Sequence, residues 1–176
     1  RLPVLLVQGV LLAVATGFYE ELLARGYLFQ RLIAGLGPWP AQGLVALVWL
    51  LLHGHAPGLP WPARLLDLLN VVLASLLLGQ AWLRTRSLAL PMGLHAGWVF
   101  AQGTLLGFPV GGVISPALLV PVAREGAPVW LSGMAGGLES TLPTTAAFAL
   151  AFLLLLPWKR SAPPTTQGWE DTTRIF

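Results

Sequence analysis

The chain has 176 residues, 56% hydrophobic and 10% charged, with a mean hydropathy of +0.74. Soluble domains carry roughly 25% charged residues, so this composition excludes an ordinary soluble domain and points to one integral membrane domain of several spans. The formal charge of +3 comes from scattered basic residues, which excludes a nucleic-acid surface, and the lack of cysteine excludes disulfides, thiolate metal sites and a cysteine nucleophile.

In chain order, Leu2 to about Ile33 reads as one long apolar helix, or two joined near Thr16-Gly17. The chain begins at Arg1 rather than Met, so further N-terminal sequence is expected. The first apolar stretch is long and has no cleavage site, unlike a signal peptide. Gly35-Leu36-Gly37-Pro38-Trp39-Pro40 is a turn. Ala41 to His53 is a short apolar helix, ended by His-Ala-Pro-Gly at 55–58. Ala63 to Leu83 has about the ~20 residues a span needs. Arg84-Thr85-Arg86 is a polar hairpin, and Ser87 to Gly103 is a fourth apolar helix. Residues 104–139 are rich in Gly and Pro and read as a re-entrant or surface loop with a short helix around Ala117–Val122. Leu142 to Leu156 is the last span. The expected fold is an all-α, polytopic transmembrane bundle of five to six spans over residues 1–158, with a disordered polar tail at 159–176. There is no internal repeat, dinucleotide glycine fingerprint or phosphate loop.

If the spans alternate, Arg31, Arg84, Arg86, Lys159 and Arg160 fall on one side, and Arg64 and Arg124 on the other. The positive-inside tendency makes the first side cytoplasmic. Trp39, Trp61, Trp82 and Trp158 then sit near the interfaces as belt anchors.

Glu20-Glu21 and Arg25 lie inside the first apolar run. Ionisable groups in hydrocarbon are costly and tend to be paired, inward-facing and functional. Counted at ~1.5 Å per residue from the Arg-rich side, Glu20 and His53 lie ~20 Å deep and His95 ~13 Å deep. Three helices thus bring a carboxylate and two imidazoles to overlapping depths, where they can form a general-base site or a metal site. Glu21 and Arg25 are four apart on one face, in the favourable acid-before-base order. Glu21 with Arg25 is therefore expected to cancel charge and support the site, leaving Glu20 for chemistry. Set against these, His55 reads as a helix-end residue, Asp67 as solvated and Glu139 as a helix-start residue. Asn70 either lines the site or bonds another helix.

Glu20-Glu21-x-x-x-Arg25-Gly26, Trp49-x-x-x-His53 and Gly93-Leu94-His95-Ala96-Gly97-Trp98-Val99-Phe100 together resemble the CPBP (CAAX protease and bacteriocin-processing, or ABI) intramembrane peptidases, also called type II CAAX prenyl endopeptidases. The family's motifs are Glu-Glu-x-x-x-Arg, Phe-x-x-x-His and His-x-x-x-Asn or Asp. Here Trp49 replaces the Phe and Val99 replaces the Asn or Asp. The clearest match spans about residues 10–105.

The resemblance implies hydrolysis of a peptide bond in or beside the membrane. Glu20 and His53 would activate water, and His95 would help stabilise the oxyanion. Zinc on Glu20, His53 and His95 is the metal alternative. The implied partners are membrane lipid and a peptide or protein substrate, lipidated in the namesake reaction, in a multi-pass protein of a bacterial-type plasma membrane. Val99 cannot hydrogen-bond, and loss of one oxyanion donor elsewhere costs about 10²–10³ in rate. Gln102, two turns beyond His95, is a candidate replacement. An impaired member serving as a membrane scaffold or immunity-type binding protein is the competing expectation. A transporter using Glu20 as a proton relay fits less well, because no inverted repeat is present.

Overall fold

The computed structural model describes residues 1–53, 58–122, 124–133 and 136–158. His55 and the tail from Lys159, with Arg160, lie outside the described residues. The described residues form an all-helical bundle with no β-strand, only an isolated bridge between Val110 and Val113.

The first helical run is continuous from Leu2 to Leu36. It comprises α1 (Leu2–Glu21), a π-helical segment (Leu22–Leu28) and α2 (Phe29–Leu36). The joint is not at Thr16-Gly17. Gly17 is instead a packing position, where a Cβ would lie 2.9 Å from the backbone of Met92 and Ala96. Gly9 and the buried Ala13 continue this stripe of small residues, with Gly9 against Thr104. The stripe lets α1 approach α5 (Ala89–Val99) closely and antiparallel. Gly37, at φ +86°, ends α2.

The helix α3 (Pro38–His53) starts three residues before the expected Ala41, and Pro38 and Pro40 fit its first turn, whose N–H groups have no intrahelical partner. The helix α4 (Trp61–Thr85) is the central post, with 56% of its most apolar window buried against 17% for Leu2–Leu36. It packs on α3, α5 and α7 (Leu142–Leu155). One core cluster joins Phe29, Ala41, Val45, Trp49, Val71 and Trp82, and a second joins Leu77, Ala81 and Leu155. Trp82 is therefore not a belt residue. It is buried, edge-on to Phe29 at 5.6 Å, with the Arg86 guanidinium 5.1 Å over its ring. The same contacts bring Arg31, Arg84 and Arg86 to one end of the bundle, with Arg84 ~30 Å along α4 from Arg64.

A second π-helical segment (Phe100–Leu105) extends α5, and a non-helical stretch follows. No helix forms at Ala117–Val122, where Pro116 and Pro121 remove two backbone donors. A single turn, α6 (Val129–Ser132), and a 3₁₀ turn (Leu138–Ser140) precede α7. Thr141 caps α7 by accepting from the backbone N–H of Thr144.

Candidate active site

Glu20 and Glu21 end α1 where it passes into the π-helical segment that carries Arg25. A π turn holds more residues than an α turn, and such segments often mark functional sites. Here the Glu21 and Arg25 side chains are fully buried and paired at 3.0 Å (Arg25 Nη1 to Glu21 Oε1). Arg25 Nη2 donates to the carbonyl and hydroxyl of Ser75 on α4, at 2.9 and 2.8 Å. Its Nε has no hydrogen-bond partner, but the indole of Trp49 lies 4.9 Å from the guanidinium carbon. Arg25 thus crosslinks the first helical run to α3 and α4. Ser75 was not singled out in the sequence; its only signal is a small hydroxyl residue on an apolar helix.

Glu20, His53 and His95 do come together. Glu20 Oε2 lies 3.5 Å from His53 Nε2 and 3.5 Å from His95 Nε2. His53 Nδ1 faces the Trp49 carbonyl at 3.2 Å, and His95 Nδ1 faces Glu21 Oε1 at 3.0 Å. Both nitrogens of each ring face oxygens that only accept, and the closer contact is at Nδ1, so a neutral ring keeps its proton there and presents its Nε2 lone pair to Glu20. The Trp49 ring stacks on His53 (4.4 Å between centroids, 21° between planes) and meets His95 edge-on at 6.2 Å. Trp49 occupies the position of the expected Phe and touches both histidines and the arginine.

The expected division of labour between the carboxylates is incomplete. Glu21 pairs with Arg25, but the same oxygen also holds His95. Imidazole nitrogens project from different edges of the ring, so one histidine can bridge the adjacent acids even though their side chains diverge by ~100°.

Among the described residues, no three His, Asp or Glu side chains are gathered so as to hold a metal ion. Each imidazole approaches Glu20 separately through the same carboxylate oxygen, and Glu21 is taken up by Arg25 and His95. Glu20, His53 and His95 as placed therefore do not fit a zinc ligand set.

Val99 is buried one turn beyond His95 and offers no hydrogen bond. Gln102 does not stand in for it. Its Nε2 donates to the Pro109 carbonyl and a Glu139 carboxylate oxygen. Asn70 also turns to this second polar cluster, donating to the carbonyls of Glu139 and Thr141 at 2.7 and 3.0 Å. It bonds another element rather than touching Glu20 or the histidines. Burial pushes the Glu139 carboxyl up, with the Gln102 and Trp98 hydrogen bonds opposing. Asp67 is buried, not solvated, because α6 and the 3₁₀ turn cover that part of α4.

Glu20 and His53 form the polar end of a groove of about 260 Å³. Its walls include Tyr19, Leu23, Val48 and Leu52, and it runs between the first helical run and α3. An apolar group can lie there beside the carboxylate.

No curated protein and no solved structure matches the chain. A family model described as type II CAAX prenyl endopeptidase Rce1-like matches residues 2–101, a stretch that holds Glu20, Glu21, Arg25, His53 and His95. The match covers more than half of the chain, which therefore belongs to the type II CAAX prenyl endopeptidase Rce1-like family.

Proposed function

We propose that the protein is an intramembrane endopeptidase in which Glu20 and His53 activate water and His95 serves the oxyanion. The observation that carries this is the meeting of Glu20 Oε2 with two imidazole Nε2 atoms at 3.5 Å, at the end of an apolar groove. Three hydrogen-bond acceptors converge, and a water molecule is the donor that suits them. Glu20 takes one proton from that water as its oxygen bonds to the scissile carbonyl carbon. His53 Nε2 orients the water by accepting a hydrogen bond from its other O–H. One added proton on Nε2 makes His95 an imidazolium, which donates to the developing oxyanion while Glu21 holds its Nδ1. The C–N bond then breaks, and Glu20 passes its proton to the leaving amine. No step is routed through a metal ion.

The family is integral to the membrane. The Leu2–Leu36 run and α4 are long and apolar enough to cross a bilayer. In the proposed topology α3, α5 and α7 bring the spans to five of the expected five to six, and the end bearing Arg31, Arg84 and Arg86 is cytoplasmic. The groove suits a substrate with an apolar side chain or lipid tail next to the cut bond. Glu20→Ala or His95→Ala should abolish cleavage of a CAAX-type reporter peptide in a protein whose helical content is unchanged. Normal cleavage by Glu20→Ala would end the proposal.

Val99 favours a second function, a catalytically impaired member acting as a scaffold or immunity-type binding protein. Gln102 is engaged with Pro109 and Glu139, so it does not replace the missing donor. The two are separated by Val99→Asn: a large gain in cleavage belongs to an otherwise intact enzyme, and no cleavage in either form belongs to a scaffold.

A further inference from the structure

The segment from Leu106 to Val122 has no role in the site, yet it combines a non-helical backbone with a run of exposed aliphatic side chains. Val113, Ile114, Leu118, Leu119, Val120 and Val122 are all exposed, Val120 and Val122 by more than four-fifths. No Asp, Glu, Lys or Arg occurs between Arg86 and Arg124. In water such a patch invites association. In the hydrocarbon centre, unpaired backbone is excluded.

The depth of the segment follows from its anchor. Gly9 of α1 packs on Thr104, and the backbone N–H of Leu118 donates to the Thr104 carbonyl at 2.8 Å. Beyond Gly9, α1 continues outward through its exposed Leu2, Val4 and Val7 for seven more residues, ~10 Å of helix. The segment therefore lies level with the first turns of an apolar helix.

Its backbone is paired in part, as suits the acyl–headgroup boundary rather than the hydrocarbon centre. The carbonyls of residues 101–105, which the ending helix would leave open, accept from Leu106, Phe108, Gly107, Leu118 and Leu119. Val110 and Val113 exchange two further bonds, and Pro109, Pro116 and Pro121 have no N–H to satisfy. Gly107, at φ +74°, gives the close approach that the Leu119 carbonyl needs. Exposed Arg124 and Glu125 follow directly, and Trp61 and Trp130 lie at the same end of the bundle, as residues at a headgroup boundary do.

We infer that the Leu106–Val122 segment is a lipid-inserted interfacial loop, seating Ile114, Val120 and Val122 at the acyl–headgroup boundary beside the N-terminal end of α1. The occupant of this face is lipid rather than a second copy, because the segment lies level with the exposed apolar first turns of α1 and carries no charged residue.

The absence of cysteine makes the test direct. Ile114→Cys, Val120→Cys and Val122→Cys are separate spin-labelled variants of the full chain in phosphatidylcholine vesicles. Each is qualified by circular dichroism equal to that of the parent. Leu11→Cys on the exposed side of α1 is the hydrocarbon reference and Glu125→Cys the aqueous one. The three loop positions are expected to collide with oxygen in preference to a water-soluble nickel chelate, giving the depth parameter the sign found at position 11. The sign found at position 125 would overturn the inference. Exclusion of both probes, the mark of a covering protein surface, would overturn it equally.

Discussion

Glu21→Gln tests whether Glu21 balances charge alone or also holds His95. Its Oε1 accepts from Arg25 Nη1 and His95 Nδ1, both at 3.0 Å, in a fully buried position. Removing one partner of a buried ion pair typically costs about 3–5 kcal/mol, because the other charge stays buried and unpaired. Ser75→Ala is the matched control: it removes the 2.8 Å hydroxyl bond to Arg25, a charged hydrogen bond worth about 1.5–3 kcal/mol, and leaves His95 untouched. Both variants should lower the thermal midpoint in detergent, followed by tryptophan fluorescence. They should part in catalysis. Where a buried carboxylate holds a catalytic imidazole, replacement by the amide lowers kcat by up to about 10⁴, through the wrong tautomer. Glu21→Gln should therefore lower kcat on a quenched CAAX-type peptide by on the order of 10²–10⁴ with little change in KM. Ser75→Ala, assayed well below its melting point, should keep kcat within a few-fold of the parent. Equal kcat values for the two variants would refute the second role of Glu21.

Val99→Asn should raise kcat by about 10²–10³, the worth of one oxyanion donor, measured with the same peptide. Trp49→Phe, which keeps an aromatic face for His53 and Arg25, should retain most activity, whereas Trp49→Leu should lose both activity and thermal stability in parallel assays. Gly17→Val should destabilise by about 1–3 kcal/mol or more, because its side chain meets the Met92 and Ala96 backbone, and cleavage should fall as α1 moves Glu20. Glu139→Gln should raise the thermal midpoint at neutral pH. A carboxyl whose folded pKa lies above its unfolded value makes stability fall as pH rises from the unfolded pKa through the folded one. The neutral amide removes that loss, so the midpoint difference from the parent should shrink in acid.

The convergence of Glu20, His53 and His95 was legible because helix rise is regular, so residue counts from a common edge convert to depth. The Glu21–Arg25 pair was legible for the same reason, as a four-residue spacing. The Glu21–His95 bond was not, since adjacent helix positions diverge and only the reach of an imidazole across them closes the gap. Nor was the π-helical segment: it shifts the hydrogen bonding of Leu22–Leu28 by one residue without a Pro in the run to mark it. Gln102 read as a candidate donor and Asn70 left two roles open, because their partners Glu139, Pro109 and Thr141 are tertiary neighbours 7–71 residues away. Trp82 resembled a belt residue by position, but Phe29 on another helix decides its burial.

Charge and hydrogen bonding lead to one conclusion about the proton inventory of the site. Glu21 and Arg25 cancel, so with both imidazoles neutral the cluster keeps the single negative charge of Glu20. The same neutral imidazoles point two lone pairs at that carboxylate, and no donor lies among the three atoms. A membrane interior penalises the net charge, and close-set acceptors repel. One proton placed among Glu20, His53 and His95 removes both costs. Peptide hydrolysis also needs one proton for the leaving amine, and Glu20 stands within reach of two imidazoles that can hold or return it. Val99 alters none of this, because a valine leaves the proton count unchanged and removes only a donor. Its effect is therefore expected on oxyanion stabilisation alone, which is why restoring a single amide at position 99 should suffice.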